Sequence, residues 1–292
     1  MSTNFKFRFM KQAKFKTQKQ KKPGLEAKMT PNPEYISKKY KASGKLKGKV
    51  ALITGGDSGI GRSVAVHYAH EGADVAIVYL SDLEKKDAKE TKALVEAQNR
   101  KCLLIKGDLT NEDFCKKCVN DVLKTYGKIN ILVNNAGTHF SENDPTKITS
   151  EHLKKTFETN VYPLFHLAKE AIPYLSKGDC IINTSSVTAN RGSDHLLDYS
   201  STKGAISTFT KSLSTMLAKK GIRVNSVAPG PIWTPLIVSS FDKLEKFGKD
   251  TPLGRAGQPS EVGPAYVFLA SQDSSYITGQ IIHVNGGETV GN

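Results

Sequence analysis

Residues 50–62 read VALITGGDSGIGR, and the amphipathic stretch SVAVHYAHEG follows them at residues 63–72. The apolar run Val50–Thr54 leads straight into glycines, which is typical of a buried strand that ends in a turn. Glycine lets the backbone turn sharply and lets another group come close, because no Cβ is in the way. This stretch therefore predicts a strand, a tight turn and a helix, in that order.

The turn is typical of a phosphate-binding loop. Its glycines have the spacing G-x-x-x-G-x-G at Gly55, Gly59 and Gly61, which differs from the general dinucleotide pattern G-x-G-x-x-G. The start of the following helix offers backbone N–H groups and the positive end of the helix dipole. A plain glycine-rich turn is the alternative, but the strand before it and the helix after it favour the pyrophosphate of a dinucleotide.

The same strand pattern recurs along the chain. Short apolar runs occupy residues 50–54, 75–80, 102–105, 129–133, 180–184, 222–228 and 280–284, and the spacers are long enough for crossover helices. Unbroken rather than alternating hydrophobicity indicates strands that are buried on both faces. The pattern predicts an α/β fold, namely a single Rossmann-type doubly wound domain at residues 49–292, with a seven-stranded parallel sheet and helices on both faces.

The net charge of +14 is concentrated at one end of the chain. Residues 1–48 hold 14 basic residues against Glu26 and Glu34, a net charge of +12, so residues 49–292 carry only +2. The segment 23–48 is rich in Pro, Lys and polar residues and has no periodic apolar pattern. The sequence therefore predicts a basic, largely extended N-terminal arm at residues 1–48, in front of a nearly neutral domain.

The composition argues against several classes of protein. No apolar run approaches the roughly 18 residues of a membrane span, so none is predicted. The N-terminus is basic but lacks the apolar core of a secretory signal. Four cysteines in 292 residues are too few for a disulfide framework, which predicts a reducing, cytoplasmic location. Organellar targeting by the basic, acid-free start is the alternative.

Two of the cysteines have a spacing that occurs in metal and redox sites. Cys115 and Cys118 lie three residues apart in DFCKKCVNDVLKTYG, where they share a helix face with Val119 and Val122. The chain has no second pair of cysteines, so we interpret the two as small buried side chains. No metal site is predicted.

Further short motifs follow the later strands. They are Gly107-Asp108-Leu109, Asn134-Asn135-Ala136-Gly137, Asn160, Ser186, Tyr199-x-x-x-Lys203 and Pro229-Gly230-Pro231-Ile232-Trp233-Thr234. Together with Thr-Gly-x-x-x-Gly-Ile-Gly at residues 54–61, they resemble the classical short-chain dehydrogenase/reductase superfamily. Within it, the chain is most similar to the glucose/ribitol dehydrogenase-like and bacterial general-stress oxidoreductase subfamily. The motifs lie at strand ends, where open α/β sheets bind ligands.

Tyr199 and Lys203 suit acid/base chemistry. They are four residues apart in a helical stretch, and hence on one face of a helix. A free tyrosine has a pKa of about 10, and a neighbouring cation lowers that value toward neutrality. Ser186, after a strand, can donate a hydrogen bond to a substrate oxygen that gains negative charge. An ordinary helix face is the alternative for an isolated Y-x-x-x-K, and the glycine-rich turn upstream argues against it.

The resemblance implies a reaction and a role for each of these residues. The reaction is the interconversion of an alcohol and a carbonyl compound by hydride transfer. Tyr199 would be the acid/base, Lys203 would lower its pKa and hold the nicotinamide ribose, and Ser186 would polarise the carbonyl. Asn160 would support a water relay to Lys203. Ser185 is a rival for the serine role, but Ser186 has the family's separation from the tyrosine.

The resemblance also implies a nicotinamide dinucleotide and the residues that bind it. These are Gly55, Asp57, Ser58, Gly59, Ile60, Gly61, Tyr79, Leu80, Asp108, Leu109, Asn135, Ala136, Gly137, Tyr199, Lys203, Pro229, Gly230, Ile232 and Thr234. At the end of the second strand, members of the superfamily that use NAD have an Asp, and many that use NADP have an Arg. This chain has Tyr79 and Leu80 at these positions. Arg62 and Lys85 are candidate partners of a 2′-phosphate. We favour NADP, and the alternatives are use of both cofactors or of NAD.

The substrate and the quaternary structure are less closely defined. Residues 139–145, 187–197 and 233–251 are loops with mixed polarity, compatible with an aldehyde, a ketone, a sugar or a polyol. Trp233 either covers the nicotinamide or packs this last loop, and we favour packing. The resemblance implies a homotetramer.

A second functional hypothesis concerns the arm. The chain would then be a cofactor-sensing binding protein whose basic arm contacts an acidic partner, such as nucleic acid or anionic lipid. Phe5, Phe7, Phe9 and Phe15 lie among the lysines, where they would stack or insert. The set of Asn160, Ser186, Tyr199 and Lys203 favours the enzyme.

Overall fold

The computed structural model describes residue 15 and residues 17–241 and 243–288. Seven parallel strands form one sheet in the order β3-β2-β1-β4-β5-β6-β7. The strands are β1 (Val50–Thr54), β2 (Asp74–Tyr79), β3 (Cys102–Lys106), β4 (Ile131–Asn134), β5 (Cys180–Thr184), β6 (Arg223–Pro229) and β7 (Ile281–Val284). The predicted seven-stranded, doubly wound parallel sheet is confirmed.

Helices cover both faces of this sheet. They are α1 (Gly59–His70), α2 (Lys85–Glu96), α3 (Glu112–Tyr126), α4 (Ser150–Asn160), α5 (Tyr162–Ala171), α6 (Thr188–Arg191), α7 (Leu197–Leu217), α8 (Pro235–Val238) and α9 (Pro259–Ala270). Side chains from α1 and α9 pack on one face of the sheet, and side chains from α3, α5 and α7 pack on the other. Each face therefore has its own hydrophobic core, as a parallel sheet requires.

The two central strands define where a ligand can bind. β1 pairs with β2 on one side and with β4 on the other. The connection from β3 back to β4 crosses to the other side of β1, so the winding direction reverses there. At such a switch point, the loops after neighbouring strands diverge and leave a crevice at the carboxyl edge.

Local signals in the sequence fix several helix ends. The Thr149 side chain accepts a hydrogen bond of 3.1 Å from the N–H of His152 and caps α4. A single 3₁₀ turn at Ala218–Lys220 follows α7, and Gly221 then takes a left-handed conformation, with a φ of 69°. Cys115 and Cys118 are buried, free thiols on α3, as interpreted from the sequence.

The described part of the arm lies against the body of the protein. It contains one short 3₁₀ turn, Glu26–Lys28, and hydrogen-bonded turns at residues 37–40 and 44–49, and its described residues form no strand. Leu46 reaches the core on the α1 side, whereas Phe15 and Met29 are buried with Trp233, Val238 and Leu244. None of the described helices has the length and apolar character needed to cross a membrane.

Candidate active site

A cavity of about 520 Å³ opens at the switch point, between the turn after β1 and the first turns of α7. Its volume lies within the range of small-molecule and cofactor sites. The predicted site residues that line it are Gly55, Asp57, Ser58, Gly59, Ile60, Tyr79, Leu80, Asp108, Leu109, Asn135, Ala136, Gly137, Ser186, Tyr199, Lys203, Pro229, Gly230, Ile232 and Thr234. Gly61 and Asn160 are the two predicted site residues that do not line it.

The glycines of the turn have different roles. Gly55 and Gly59 have positive φ values of 61° and 53°, which glycine adopts without strain. A side chain on Gly61 would overlap the carbonyl oxygen of Gly55 and crowd the Asn135 amide. Gly61 therefore allows α1 to start directly beneath the turn, while Gly55 and Gly59 face the cavity.

Thr54 and Asn135 hold the two central strands together at this edge. Thr54 Oγ1 accepts hydrogen bonds from the N–H groups of Asn135 and Ala136, at 2.9 and 3.0 Å. The Asn135 side-chain amide donates to the carbonyls of Thr54 and Gly55, at 3.0 and 3.1 Å. These four bonds fix the segment after β4 on the floor of the cavity. The cavity thus has a rigid, glycine-lined floor that fits a dinucleotide.

Arg62 is not available to a cofactor phosphate, so its proposed role as a 2′-phosphate partner is wrong. Its side chain is buried, and its Nη1 donates to Glu26 Oε1 at 2.8 Å. Its Nε donates to the Asp57 carbonyl at 3.0 Å, and its Nη2 donates to the Asp87 carbonyl at 3.0 Å. The guanidinium therefore stabilises the glycine-rich turn through these hydrogen bonds. Lys85, the other candidate, is exposed at the start of α2.

Glu26 brings the arm into contact with the glycine-rich turn. Glu26 Oε2 accepts a hydrogen bond of 2.6 Å from the Gly59 N–H, at the first residue of α1. Burial raises the pKa of Glu26 to about 7, and the charge of Arg62 acts in the opposite direction. One donor of the helix N-terminus is thus satisfied by the arm.

Ser186, Tyr199 and Lys203 come together at the other end of the cavity. Tyr199 hydrogen-bonds to Ser186, and Ser186 Oγ also accepts from the Thr188 N–H at 3.2 Å. Lys203 Nζ lies 5.3 Å from the centre of the Tyr199 ring and donates to the Thr184 carbonyl at 2.8 Å.

Ser185, the rival for the serine role, points elsewhere. Its Oγ donates to the Lys203 carbonyl at 3.0 Å and lies 3.0 Å from Ser207 Oγ. Its hydroxyl is therefore occupied within the packing of α7. Of the two serines, the geometry favours Ser186 as the residue that meets a substrate.

The protonation of Tyr199 and Lys203 differs from the sequence-based expectation, in which the lysine lowers the pKa of the tyrosine toward neutrality. Burial raises the pKa of Tyr199 to about 12, although its bond to Ser186 acts in the other direction. Burial also lowers the pKa of Lys203 to about 8. Both changes have one cause, since a site removed from water disfavours the charged form of each group. The phenol of Tyr199 therefore carries its proton at neutral pH.

Asn160 lies behind the cavity. It is fully buried, and its side chain exchanges two hydrogen bonds of 2.8 Å with the backbone of Thr138. It also donates to Thr202 Oγ1 at 3.1 Å. Asn160 thus holds the loop after β4 beside α7. Its part in a proton relay stays a prediction.

His139 and Trp233 lie in two of the loops predicted to face the substrate. The His139 ring meets the Tyr199 ring edge-on at 5.2 Å, and burial lowers its pKa to about 3. Trp233 is fully buried, stacks on Phe15 at 3.8 Å and donates to the Pro31 carbonyl at 2.9 Å. The packing role expected for Trp233 is confirmed, and Phe15 is a core residue rather than a surface contact. Phe5, Phe7 and Phe9 lie outside the described residues.

No pattern in the sequence indicated that the arm lines this cavity. Lys22, Pro23 and Gly24 form part of its wall. Lys22 Nζ donates to the His139 carbonyl and lies 3.6 Å from the centre of the Phe140 ring. The Pro-Gly pair was the available signal, and it predicts a turn without saying where the turn packs. Among the described residues, no cluster of three or more His, Cys, Asp or Glu side chains is arranged to hold a metal ion.

A comparison with protein families identifies the chain. A family model described as enoyl-(acyl carrier protein) reductase matches residues 55–289. The solved structure of a short chain dehydrogenase from Burkholderia cenocepacia J2315, in complex with NADP, superimposes with a TM-score of 0.78. It is 29% identical, and the match covers 83% of this chain and 98% of that one. The chain belongs to the short-chain dehydrogenase/reductase family. It is an NAD(P)-dependent oxidoreductase.

Curated relatives are more similar still. General stress protein 39 of Bacillus subtilis is 54% identical over 92% of this chain and 94% of its own length. Glucose and ribitol dehydrogenase of Daucus carota is 50% identical over 94% and 97%. NADPH-dependent aldehyde reductase 1, chloroplastic, of Arabidopsis thaliana is 48% identical over 92% and 96%. The resemblance predicted from the motifs is confirmed down to the subfamily.

Proposed function

We propose that this short-chain dehydrogenase/reductase reduces the carbonyl group of a small aldehyde, ketone or sugar, and oxidises the corresponding alcohol or polyol, with Tyr199 as the acid/base. One observation carries the proposal. The Tyr199 hydroxyl is hydrogen-bonded to Ser186, and the Tyr199 ring lies beside Lys203, at the end of a cavity that fits a dinucleotide. A protein that only senses a cofactor has no use for such a group.

The nicotinamide supplies or accepts the hydride when it is bound. Ser186 and Tyr199 both direct their hydroxyl groups to the substrate oxygen, which polarises the carbonyl carbon. As a C–H bond forms and the C=O π bond breaks, Tyr199 Oη gives its proton to that oxygen, and an alcohol results. In the reverse direction, the Tyr199 phenolate takes the alcohol proton. The ammonium of Lys203, close to the Tyr199 ring, stabilises that phenolate.

The two ends of the cavity differ in what they offer a cofactor. Ser58, Gly59 and Ile60 would hold the pyrophosphate at the start of α1, and Tyr79 and Leu80 would face the adenosine. Asn135, Ala136 and Gly137, with Gly230 and Thr234, would hold the nicotinamide half near Tyr199. We propose NADP(H) as the preferred cofactor. The name of the Arabidopsis relative and the NADP in the Burkholderia structure support this preference.

A cofactor-coupled screen tests the function. Purified protein is given NADPH or NADH with a panel of aldehydes, ketones and aldoses, and NADP or NAD with alcohols and polyols. We expect turnover with at least one carbonyl compound and a higher kcat/KM with NADPH than with NADH. Absence of turnover across the panel with both cofactors would refute the proposal.

We also propose a homotetramer. Tyr162 and Phe165 on α5 and Met216 on α7 are large apolar side chains with 47%, 55% and 74% of their surface exposed. β7 lies at the edge of the sheet, and no strand among the described residues pairs with its outer side. Such patches on a folded chain support contact with further copies. Sedimentation velocity of the purified protein would test this, and a monomer at micromolar concentration would contradict it.

We propose the cytoplasm as the compartment of the protein, because all four cysteines are buried free thiols. Fluorescence imaging of the tagged full-length chain would test this location against an organellar one.

A binding role for the arm, with nucleic acid or an anionic surface, has a separate test. Retention on heparin at rising salt would be compared for the full chain and for a chain that lacks residues 1–22. Equal retention of the two would argue against such a role.

A further inference from the structure

Lys22 is held in one place at the mouth of the active-site cavity. The Gln20 N–H donates to the Val238 carbonyl at 3.0 Å, which ties the arm to the end of α8. The Gln20 side chain then exchanges two hydrogen bonds with the backbone of Leu25, at 2.7 and 3.1 Å. Residues 21–24 are therefore a closed loop that presents Lys22 to the cavity.

The ammonium of Lys22 retains capacity to bind a further group. It donates one hydrogen bond to the His139 carbonyl and rests on the Phe140 ring. An ammonium has three N–H donors, and the carbonyl takes one of them. Partial burial lowers the pKa of Lys22 to about 8, so the side chain stays mostly protonated at neutral pH. The ring of the same His139 contacts the ring of Tyr199. His139 therefore lies between Lys22 and the residue at which we place the substrate carbonyl.

The charges that line the cavity are separated along its length. The carboxylates among its described lining residues are Asp57, Glu84 and Asp108, which follow β1, β2 and β3. The lysines are Lys22, Lys155 and Lys203. Lys22 reaches Tyr199 through His139, and Lys203 lies beside the Tyr199 ring. A substrate that binds beside Tyr199 therefore meets cations among the described lining residues. The buried carboxylate of Asp198 lies outside that lining, and its charge raises the pKa of Lys22, which keeps the lysine protonated. Such a field favours an anionic ligand.

We propose that Lys22 of the N-terminal arm binds an anionic group of the substrate, so that the enzyme acts on carbonyl compounds that also bear a carboxylate or a phosphate. The inference rests on the proposed function, since it places the substrate carbonyl at Tyr199. Charge-assisted hydrogen bonds to carboxylate and phosphate are the strong interactions of an ammonium. The arm thus supplies a specificity residue to the active site.

Matched pairs of substrates test this inference and separate the two anions. Butanal is compared with 4-oxobutanoate, which carries a carboxylate in place of the methyl group, and glyceraldehyde is compared with glyceraldehyde 3-phosphate. For the wild-type enzyme, kcat/KM of at least one anionic member should exceed that of its neutral partner by about tenfold. Lys22→Met should remove that advantage through a higher KM, and leave kcat/KM of the neutral partner within about twofold.

Two further variants exclude an indirect effect of the arm. Lys22→Arg keeps the positive charge and should retain most of the preference for the anion. Lys21→Met removes the adjacent charge outside the cavity lining and should change neither member of a pair. An equal loss for charged and neutral partners in Lys22→Met, or a wild-type enzyme indifferent to the anion, would overturn the inference. If the wild-type enzyme reduced none of the four compounds, that result would instead count against the proposed function.

Discussion

Glu26 of the arm accepts a hydrogen bond of 2.6 Å from the Gly59 N–H, at the first residue of the helix behind the glycine-rich turn. The same carboxylate pairs with the buried Arg62 at 2.8 Å. Because both partners lie in the first turn of α1, directly after the glycine-rich turn, the arm and this turn form one structural unit. The position of the arm is therefore expected to affect the affinity for the cofactor.

Glu26→Ala should destabilise the protein and weaken cofactor binding together. The change removes the acceptor of the Gly59 N–H and leaves the Arg62 guanidinium with fewer buried partners, a loss of about 3 kcal/mol. Chemical denaturation would measure the stability, and fluorescence titration with NADPH would measure the Kd. Lys28→Ala, an exposed change in the same turn, is the control and should alter neither quantity. Equal stability of the Glu26→Ala and wild-type proteins would contradict the prediction.

The pH dependence of stability should contain a contribution from Glu26. Its pKa is about 7 in the folded protein against 4.5 for the free group, so the folded state binds the proton more tightly than the unfolded state. The stabilisation from this group is complete below pH 4.5 and is lost as the pH rises through 7, by up to about 3 kcal/mol.

The Glu26→Gln variant isolates that contribution. It keeps the shape and the hydrogen-bonding capacity of the protonated acid but does not titrate. Relative to wild type, the variant should therefore become more stable between pH 5 and pH 8, as measured by denaturant unfolding at each pH. Parallel stability curves for the two proteins would show that Glu26 does not titrate in this range.

Tyr199→Phe should abolish most of the activity and leave the fold intact. The change removes one hydroxyl, the proposed proton donor to the substrate oxygen, and general acid catalysis contributes about 10²- to 10⁴-fold to a rate. We expect kcat for a reactive aldehyde to fall by about that factor, with a cofactor Kd near that of wild type. Tyr276→Phe, at a fully exposed position, is the matched control. A Tyr199→Phe enzyme with near wild-type kcat would rule out Tyr199 as the acid.

The sequence predicted the regular part of this molecule well, because the signals were local. The apolar run of β1 and the glycine spacing after it defined the first crossover unit. The four-residue spacing of Tyr199 and Lys203 placed both side chains on one helix face. Each of these features depends on residues within one or two turns of one another in the chain.

The features that the sequence did not reveal depend on contacts between distant residues. Lys22 meets His139, 117 positions along the chain, and no periodicity of the arm indicates that contact. Arg62 follows the last glycine of the motif, which suggested a phosphate partner, but Glu26 and Asp87 surround it in the folded protein. The raised pKa of Tyr199 has the same origin, since the spacing to Lys203 says nothing about burial.

The burial of Arg62 leads to a prediction about cofactor choice. Arg62→Lys should lower the melting temperature, because one ammonium group cannot form the separate hydrogen bonds that the guanidinium makes with Glu26 and Asp87. It should leave the ratio of kcat/KM for NADPH and NADH within about twofold of wild type. Lys85→Met should reduce that ratio, because Lys85 is the exposed candidate for the 2′-phosphate. A ratio that falls in Arg62→Lys and is unchanged in Lys85→Met would reverse the assignment.

Gly24 should be essential for the arm to reach the cavity. A side chain at this position would overlap the Pro235 carbonyl, where the arm crosses the start of α8. The obstacle is backbone, which cannot rotate away, so Gly24→Ala must push the arm outward and carry Lys22 with it. We expect a lower melting temperature and the loss of any preference for anionic substrates.

Gly204→Ala is the control, since a side chain there meets nothing closer than 4.0 Å. Alanine favours a helix interior, so that variant should melt at or above the wild-type temperature. If Gly24→Ala kept both the wild-type stability and the preference for the anion, the contact of the arm with α8 would have no role in placing Lys22.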